Sequence, residues 1–400
     1  MRKLLSLLLC CAALGLLPGS PAAAADTAPA EPAAVGFWAG EQYLVDGRSK
    51  SGYPAGPGEY RAERDLSSWT PELWEVLRRH RTPVYFHLRY GQDFGAGASD
   101  TGALSIIHRA NSLGVPVFAW VAVPYEDGYW ATQSNAEVQM AATVALDGWA
   151  RDNRLELAGI AYDQEPPLET VNALAAGRFD PSRPVRSLDP AAQHHAIRQY
   201  EAVYDYAREH FAQAIGAPVP FALDDLANDD LALQNSLDLW GLPDGAQSLF
   251  FQAYRSTIAE VMGADPGSAL IAHYLRLAQR TLGSERGLVT LGVAGDGVYG
   301  DLDTLVDDVR LARALGATSI PVYALENAAA AYGVDGVERL IRAGTAPLDQ
   351  DRVRAAERPT PGLASYLSVM TALDTAATAG TLPATAATGN PQQPNRFPRK

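Results

Sequence analysis

Two periods of apolar and polar positions alternate along this chain. Short runs rich in β-branched and aromatic residues are separated by longer stretches with apolar residues three or four apart. The first run is Val35-Gly36-Phe37-Trp38-Ala39. After a Gly- and Pro-rich loop, Thr70-Pro71-Glu72 carries the chemistry of a helix start. A hydroxyl caps the free N–H groups, proline occupies the first position, and an acid faces the positive end of the helix. That helix is predicted to reach about residue 81. Further strands are predicted from Pro83 to Arg89, Val115 to Val123, Leu157 to Asp163, Val219 to Leu223, Leu249 to Tyr254, Leu288 to Val293 and Ser319 to Leu325. Helical periodicity lies between them over 102–113, 135–152, Asp189 to Ile215, 267–282 and 301–315.

Eight β-rich runs alternating with helices predict an α/β protein with one main domain, a (β/α)8 TIM barrel over 34–360. A doubly wound sheet is the alternative. Residues 361–378 read as a terminal helix, and 379–400, rich in Thr, Ala, Pro and Gln, as a disordered tail. At the other end, Arg2-Lys3, an apolar run from Leu4 to Leu17, and Ala23-Ala24-Ala25 form an export signal over 1–25. The expected location is secreted or periplasmic, with 26–33 a flexible lead into the barrel. Lipid attachment is disfavoured, because Leu9 and Cys10 stand where a small residue usually precedes the lipidated cysteine. Both cysteines lie inside the signal, so disulfide and thiol chemistry are not expected after cleavage.

Composition narrows the partners. Asp and Glu number 46 against 32 Lys and Arg, a net charge of −14, which opposes nucleic-acid binding. No run beyond the signal is long and apolar enough for an integral membrane segment. Neither a metal nor a cofactor is expected. Gly295-Asp296-Gly297-Val298-Tyr299-Gly300 matches a dinucleotide-binding spacing. Asp296, Asp301 and Asp303 place negative charge where a pyrophosphate would sit, so the segment reads as a tight loop.

The densest chemistry lies in Leu157-Ala158-Gly159-Ile160-Ala161-Tyr162-Asp163-Gln164-Glu165-Pro166-Pro167. Strand side chains alternate, so Gly159, Ala161, Asp163 and Glu165 share one face. The two acids come at the C-terminal end of the strand, where barrels place their chemistry. Neighbouring like charges raise the pKa of one member and keep a proton available for general acid catalysis. A salt-bridged pair, with Arg89 as partner, is the purely structural alternative.

Gly159, Ile160, Asp163, Glu165 and Pro167 fall on the D-G-x-D-x-D-x-E pattern, and Gln252-Ala253-Tyr254 on a Q-x-Y pattern. In both, the chain resembles glycoside hydrolase family 18, the chitinases and endo-N-acetylglucosaminidases. Ala158 and Ala161 stand where the family has its first two acids. The resemblance implies Glu165 as proton donor, Asp163 as the group orienting a substrate acetamido function, and Tyr254 as its hydrogen-bonding partner. It covers about a dozen motif positions within a barrel pattern spanning most of the chain.

Residues two apart on a strand lie only about 6.6 Å apart along it. Such a pair cannot flank a sugar ring, as hydrolases using two protein carboxylates require. Glu165 therefore works either with the substrate's own acetamido oxygen or with an acid from another strand. Asp225 and Glu326 rank first for that role, ahead of Asp224 and Asp296, since each adjoins a predicted strand end. Trp38, Trp120, Tyr125 and Gln252 are further candidates for binding a polysaccharide or oligosaccharide, and His87 and Arg89 alternate toward the barrel interior. Tyr129 and Trp130 share the loop of Tyr125. A glycan-binding barrel without catalysis is the second functional class, and an assembly factor of an envelope polysaccharide system the third.

Overall fold

The computed structural model describes residues 34–99, 102–175, 189–227 and 231–379. The expected export signal, the 26–33 lead and the tail from 380 onward lie outside the described residues. Eleven strands are present among the described residues: β1 Ala34–Ala39, β2 Gln42–Val45, β3 Arg48–Ser51, β4 Glu63–Arg64, β5 Val84–Arg89, β6 Val117–Ala122, β7 Gly159–Gln164, β8 Ala214–Pro218, β9 Ser248–Ala253, β10 Gly287–Gly292 and β11 Ser319–Tyr323. Eight of them close a parallel barrel in the order β1-β11-β10-β9-β8-β7-β6-β5. This is the (β/α)8 barrel that the periodicity predicts. Closure runs through β1, which pairs with β11 from Ala34↔Ser319 and with β5 from Phe37↔Val84.

Strands buried on both faces explain why these segments read as continuous apolar runs rather than alternating ones. Every residue of β5, β6, β7, β8 and β10 is buried. Aromatic rings fill the interior. Tyr85 stacks on Phe118 with centroids 4.9 Å apart, and Trp38 tilts over Tyr85 at 4.7 Å. Some of the outer helices start on side-chain caps: Thr70 accepts from the Leu73 N–H, Asp189 from Ala192, Asp301 from Asp303 and Thr304, and Thr360 from Leu363. Each such cap contributes about 1 kcal/mol. No described helix is long and apolar enough to cross a membrane.

Two expectations need correction. The fifth barrel strand is Ala214–Pro218, five residues earlier than predicted, and the preceding helix ends at His210 instead of Ile215. The segment Ala-Ile-Gly-Ala-Pro carries little β signal. It is a strand because its neighbours crowd it: a Cβ on Gly216 would meet Leu249 at 2.7 Å and the Tyr204 hydroxyl at 2.9 Å. The loop after β1 is also not featureless. It contains a small three-stranded antiparallel sheet in the order β3-β2-β4, and Asp46 and Gly47 form the β2–β3 turn with φ of 50° and 72°. Asp-Gly with both residues left-handed is the favoured two-residue hairpin turn.

Candidate active site

The site assembles at the C-terminal end of the barrel. Asp163 sits at the end of β7, nearly buried, with Glu165 just beyond it and partly exposed. Gln252 on β9 clamps the deeper acid: its Nε2 donates to Asp163 Oδ1 at 2.6 Å and to the Ala217 carbonyl at 3.0 Å. The same amide lies close enough to Glu165 to favour its ionised form. Neither acid forms an ion pair among the described residues. Burial, with Glu165 and then Glu41 as neighbouring negative charges, holds the Asp163 carboxyl well above its ordinary range. Burial and Glu41 push Glu165 up too, partly offset by Gln252. The pair therefore retains a proton near neutral pH.

Glu41 is the acid that reading the sequence missed. It lies two residues past β1, across the barrel mouth from β7. It is 5% exposed. Tyr129, in the loop after β6, donates its hydroxyl to Glu41 Oε1, and Tyr323, at the end of β11, donates to Oε2 at 2.6 Å. Burial raises Glu41 to about 7, with Glu326 adding to the rise and the two phenols and Arg64 opposing it. A signal was present, because an acid just after a barrel strand is the pattern that singled out Glu165. The loop was passed over because it read only as Gly- and Pro-rich.

His87 backs this group. Its Nδ1 lies 2.9 Å from the Tyr43 hydroxyl and its Nε2 3.1 Å from that of Tyr129. Burial, then Arg64 and Arg89, drive its pKa far down, so the ring is neutral. Trp120 lies level with Ala161 across the β6–β7 ladder and packs edge-on against Trp38 at 5.1 Å and His87 at 4.7 Å. An indole thus flanks the position where the family pattern has an acid. Its Nε1 is buried with no hydrogen-bond partner. The Trp38 Nε1 donates to Thr290 at 2.9 Å. Tyr254 stands beside the acids, its hydroxyl pushed well up by burial, then by Asp163, Glu165 and Glu41, and its ring lies 5.6 Å from that of Tyr323.

The rim is aromatic. Tyr53, beyond β3, is 42% exposed and meets Trp130 edge-on at 5.6 Å. Burial, then the charges of Glu165 and Glu41, raises the Tyr53 hydroxyl, so it sits within their field. The Tyr125 hydroxyl accepts from Asn172 at 3.3 Å, tying the connection after β6 to the helix Leu168–Ala175.

Four candidates are placed elsewhere. Arg89 is fully buried and locked onto Asp93, with Nη1 also donating to the carbonyls of Tyr60 and Ala62. Asp225 lies in the helix Ala222–Ala227, not at a strand end, and accepts from the Leu233 and Gln234 N–H groups. Its displacement follows from the shifted fifth strand. Glu326, at the start of the helix after β11, is buried and accepts the Gly40 N–H at 2.7 Å, so its carboxylate is engaged on the backbone beside Glu41. Asp296 is exposed ahead of a tight turn at Gly297–Gly300. No group of three or more metal-ligating side chains occurs among the described residues.

No family model matches the chain, and no curated protein matches it. Solved structures do. A β-glucosidase from Thermotoga maritima in complex with deoxynojirimycin superposes with TM-score 0.50 at 12% identity, covering 80% of this chain and 99% of that one. A GH18 chitinase from Pseudoalteromonas aurantia gives 0.40 at 11%, covering 68% and 96%. A chitinase from Rhizomucor miehei gives 0.45 at 11%, covering 76% and 99%. At these identities the likeness is one of fold: the chain has the barrel that several glycoside hydrolases use.

Proposed function

We propose that the protein is an exported glycoside hydrolase acting on a polysaccharide or oligosaccharide, with Glu165 as general acid and Asp163 as its partner. The observation that carries this reading is a pair of acids, Asp163 and Glu165, with no ion-pair partner among the described residues, at the mouth of a barrel whose rim is aromatic. Two carboxyls at the end of one strand repel each other, and burial adds to the cost of ionising both. Such an arrangement destabilises the fold unless it holds a proton for use. Glu165, the outer of the two, is placed to give that proton to a departing glycosidic oxygen. Asp163, pinned by Gln252, holds its position and keeps the proton in the pair. Flat rings such as Tyr53 and Trp130 suit the apolar faces of sugars.

The test is reducing-end release by the full chain from a panel of soluble polysaccharides and oligosaccharides, compared with Glu165→Gln. The wild-type protein should release product, and the variant should fold but lose turnover. Near-normal turnover in the variant would remove Glu165 from the role. A second reading, a glycan-binding barrel without catalysis, draws support from Ala161, which faces Trp120 where the family pattern has an acid. Calorimetric binding of an oligosaccharide with no product release would favour it.

A further inference from the structure

The barrel order puts β1 three strands from β7 by the shorter way round, through β5 and β6. Glu41, just past β1, and Glu165, just past β7, therefore enter the cleft from different sides. They are close enough for each proton state to bear on the other. Acids from two different strands can flank a sugar, as Asp163 and Glu165 on a single strand cannot.

The groups around Glu41 fix what it can do. A neutral imidazole has one N–H. Tyr129 gives its own hydrogen to Glu41, so its oxygen accepts from His87 Nε2, and Tyr43 must then donate to His87 Nδ1. The string Tyr43, His87, Tyr129 is polarised toward the carboxylate. Tyr323 donates to the other oxygen. A carboxylate facing two O–H donors is held as a proton acceptor. Both oxygens are already engaged and the group is recessed. Each oxygen keeps a lone pair beyond the phenol it accepts from, and because the group is recessed that lone pair reaches a small molecule such as water more readily than a carbon of a sugar ring.

Resting on the hydrolase reading above, we propose that Glu41 is the general base that works against Glu165, drawing a proton from a water that displaces the leaving group directly. A lone pair of the water oxygen forms the new bond to the anomeric carbon. The bond from that carbon to the glycosidic oxygen breaks, and its electron pair stays on the departing oxygen, which takes the Glu165 proton. The water proton ends on Glu41. Glu165 is left as carboxylate, and one proton exchange with solvent resets both groups. The anomeric configuration inverts.

The experiment uses the full chain and p-nitrophenyl glycosides and oligosaccharides of glucose, mannose and N-acetylglucosamine. Glu41→Gln should lower kcat by about 10²–10⁴-fold on whichever substrate the wild type cleaves fastest. Sodium azide, a nucleophile that needs no base, should restore turnover in Glu41→Ala with a glycosyl azide as product, and should do nothing for Glu165→Gln. The first sugar product seen by NMR should have the inverted anomer. Retained configuration, or a Glu41→Gln variant keeping more than a tenth of wild-type kcat, overturns the assignment while leaving the hydrolase reading intact. Absence of product from the wild type on the whole panel removes that reading and the base with it. Should Glu41→Gln fail to fold, Tyr323→Phe keeps the carboxylate and removes one donor. It should lower kcat about tenfold with KM unchanged, and an unchanged kcat counts against the proposal.

Discussion

Two buried charged clusters share the barrel mouth, and they are solved in opposite ways. Under the small sheet, Arg64, Asp93 and Arg89 are fully buried, and Asp93 takes Arg64 at 2.8 Å and Arg89 at 3.2 Å. Other guanidinium hydrogens go to the carbonyls of Gly40, His87, Tyr60 and Ala62, while the buried Arg64 Nε has no partner among the described residues. Tyr43 and Phe86 lie under the Arg64 cation, and Tyr43 under Arg89 as well. Here charge is matched by charge, and the cluster holds the sheet against the barrel. In the other cluster, the side-chain hydrogen bonds to Asp163 and Glu41 among the described residues come from neutral donors, Gln252, Tyr129 and Tyr323, with Arg64 acting on Glu41 through its field alone. A buried ion pair is an architectural solution, and breaking it costs stability. Buried acids answered only by neutral donors keep a titration within reach of neutral pH, which is a chemical solution.

The contrast can be broken by substitution, and the largest effect should fall on turnover. Glu165→Gln should lower kcat by about 10³-fold with the melting temperature unchanged or higher. Parallel loss of folding, seen by circular dichroism, would move Glu165 into the architectural class. Next, Asp93→Asn should cost about 3–5 kcal/mol in denaturant unfolding, because two buried guanidinium groups lose their counter-charge. A cost under 1 kcal/mol would mean that the Arg cluster does not hold the sheet.

Glu41→Gln should change stability in the other direction. The folded-state pKa of about 7 lies above the ordinary 4.5, so the folded chain binds the extra proton. Protonation stabilises the fold below pH 4.5, and that stabilisation is lost as pH rises to 7. At pH 7 the substitution should therefore gain about 3 kcal/mol, and near pH 4.5 almost nothing. The groups facing Glu41 bear on the slope: Tyr129 and Tyr323 on its oxygens, Glu326 and Arg64 behind it, neutral His87 beyond Tyr129, and the raised pair across the cleft. Melting curves at both pH values check it, and a gain independent of pH would contradict the assigned cause. The smallest effect belongs to the rim. Tyr53→Ala should raise KM about fivefold to tenfold and leave kcat alone, as expected for a ring that touches only bound sugar.

Much of this was legible in the chain before any coordinates. Seven of the eight barrel strands announced themselves by apolar runs, and the β7 acids by alternation within eleven residues. The fifth strand was displaced because Ala214–Pro218 is a strand through tertiary crowding, with residues that favour other conformations. That one shift carried Asp225 from a strand end into a helix. Arg89 looked available on a strand face because its partners, Asp93 and the backbone near Tyr60, come from a loop and from the small sheet's connection. Glu41 was readable as an acid past a strand, but not as a partner of Tyr129 and Tyr323, which lie 88 and 282 residues away. Local pattern shows where an acid emerges, and only the closed barrel shows what it meets.

Gly40 has a consequence for how this protein tolerates change. Its φ is 92°, and a Cβ there would press on the Arg64 guanidinium and the Phe86 ring at 3.0 Å. Its N–H is held by Glu326 and its carbonyl by Arg64, so the peptide that aims Glu41 is gripped on both sides. In a library varied at every position, sorted first for expression and then for product release, substitutions at Gly40 and Glu326 should survive the first sort far better than the second. Neither would touch a sugar. Selection would still guard them as closely as the acids, since they set the bearing along which one of those acids points.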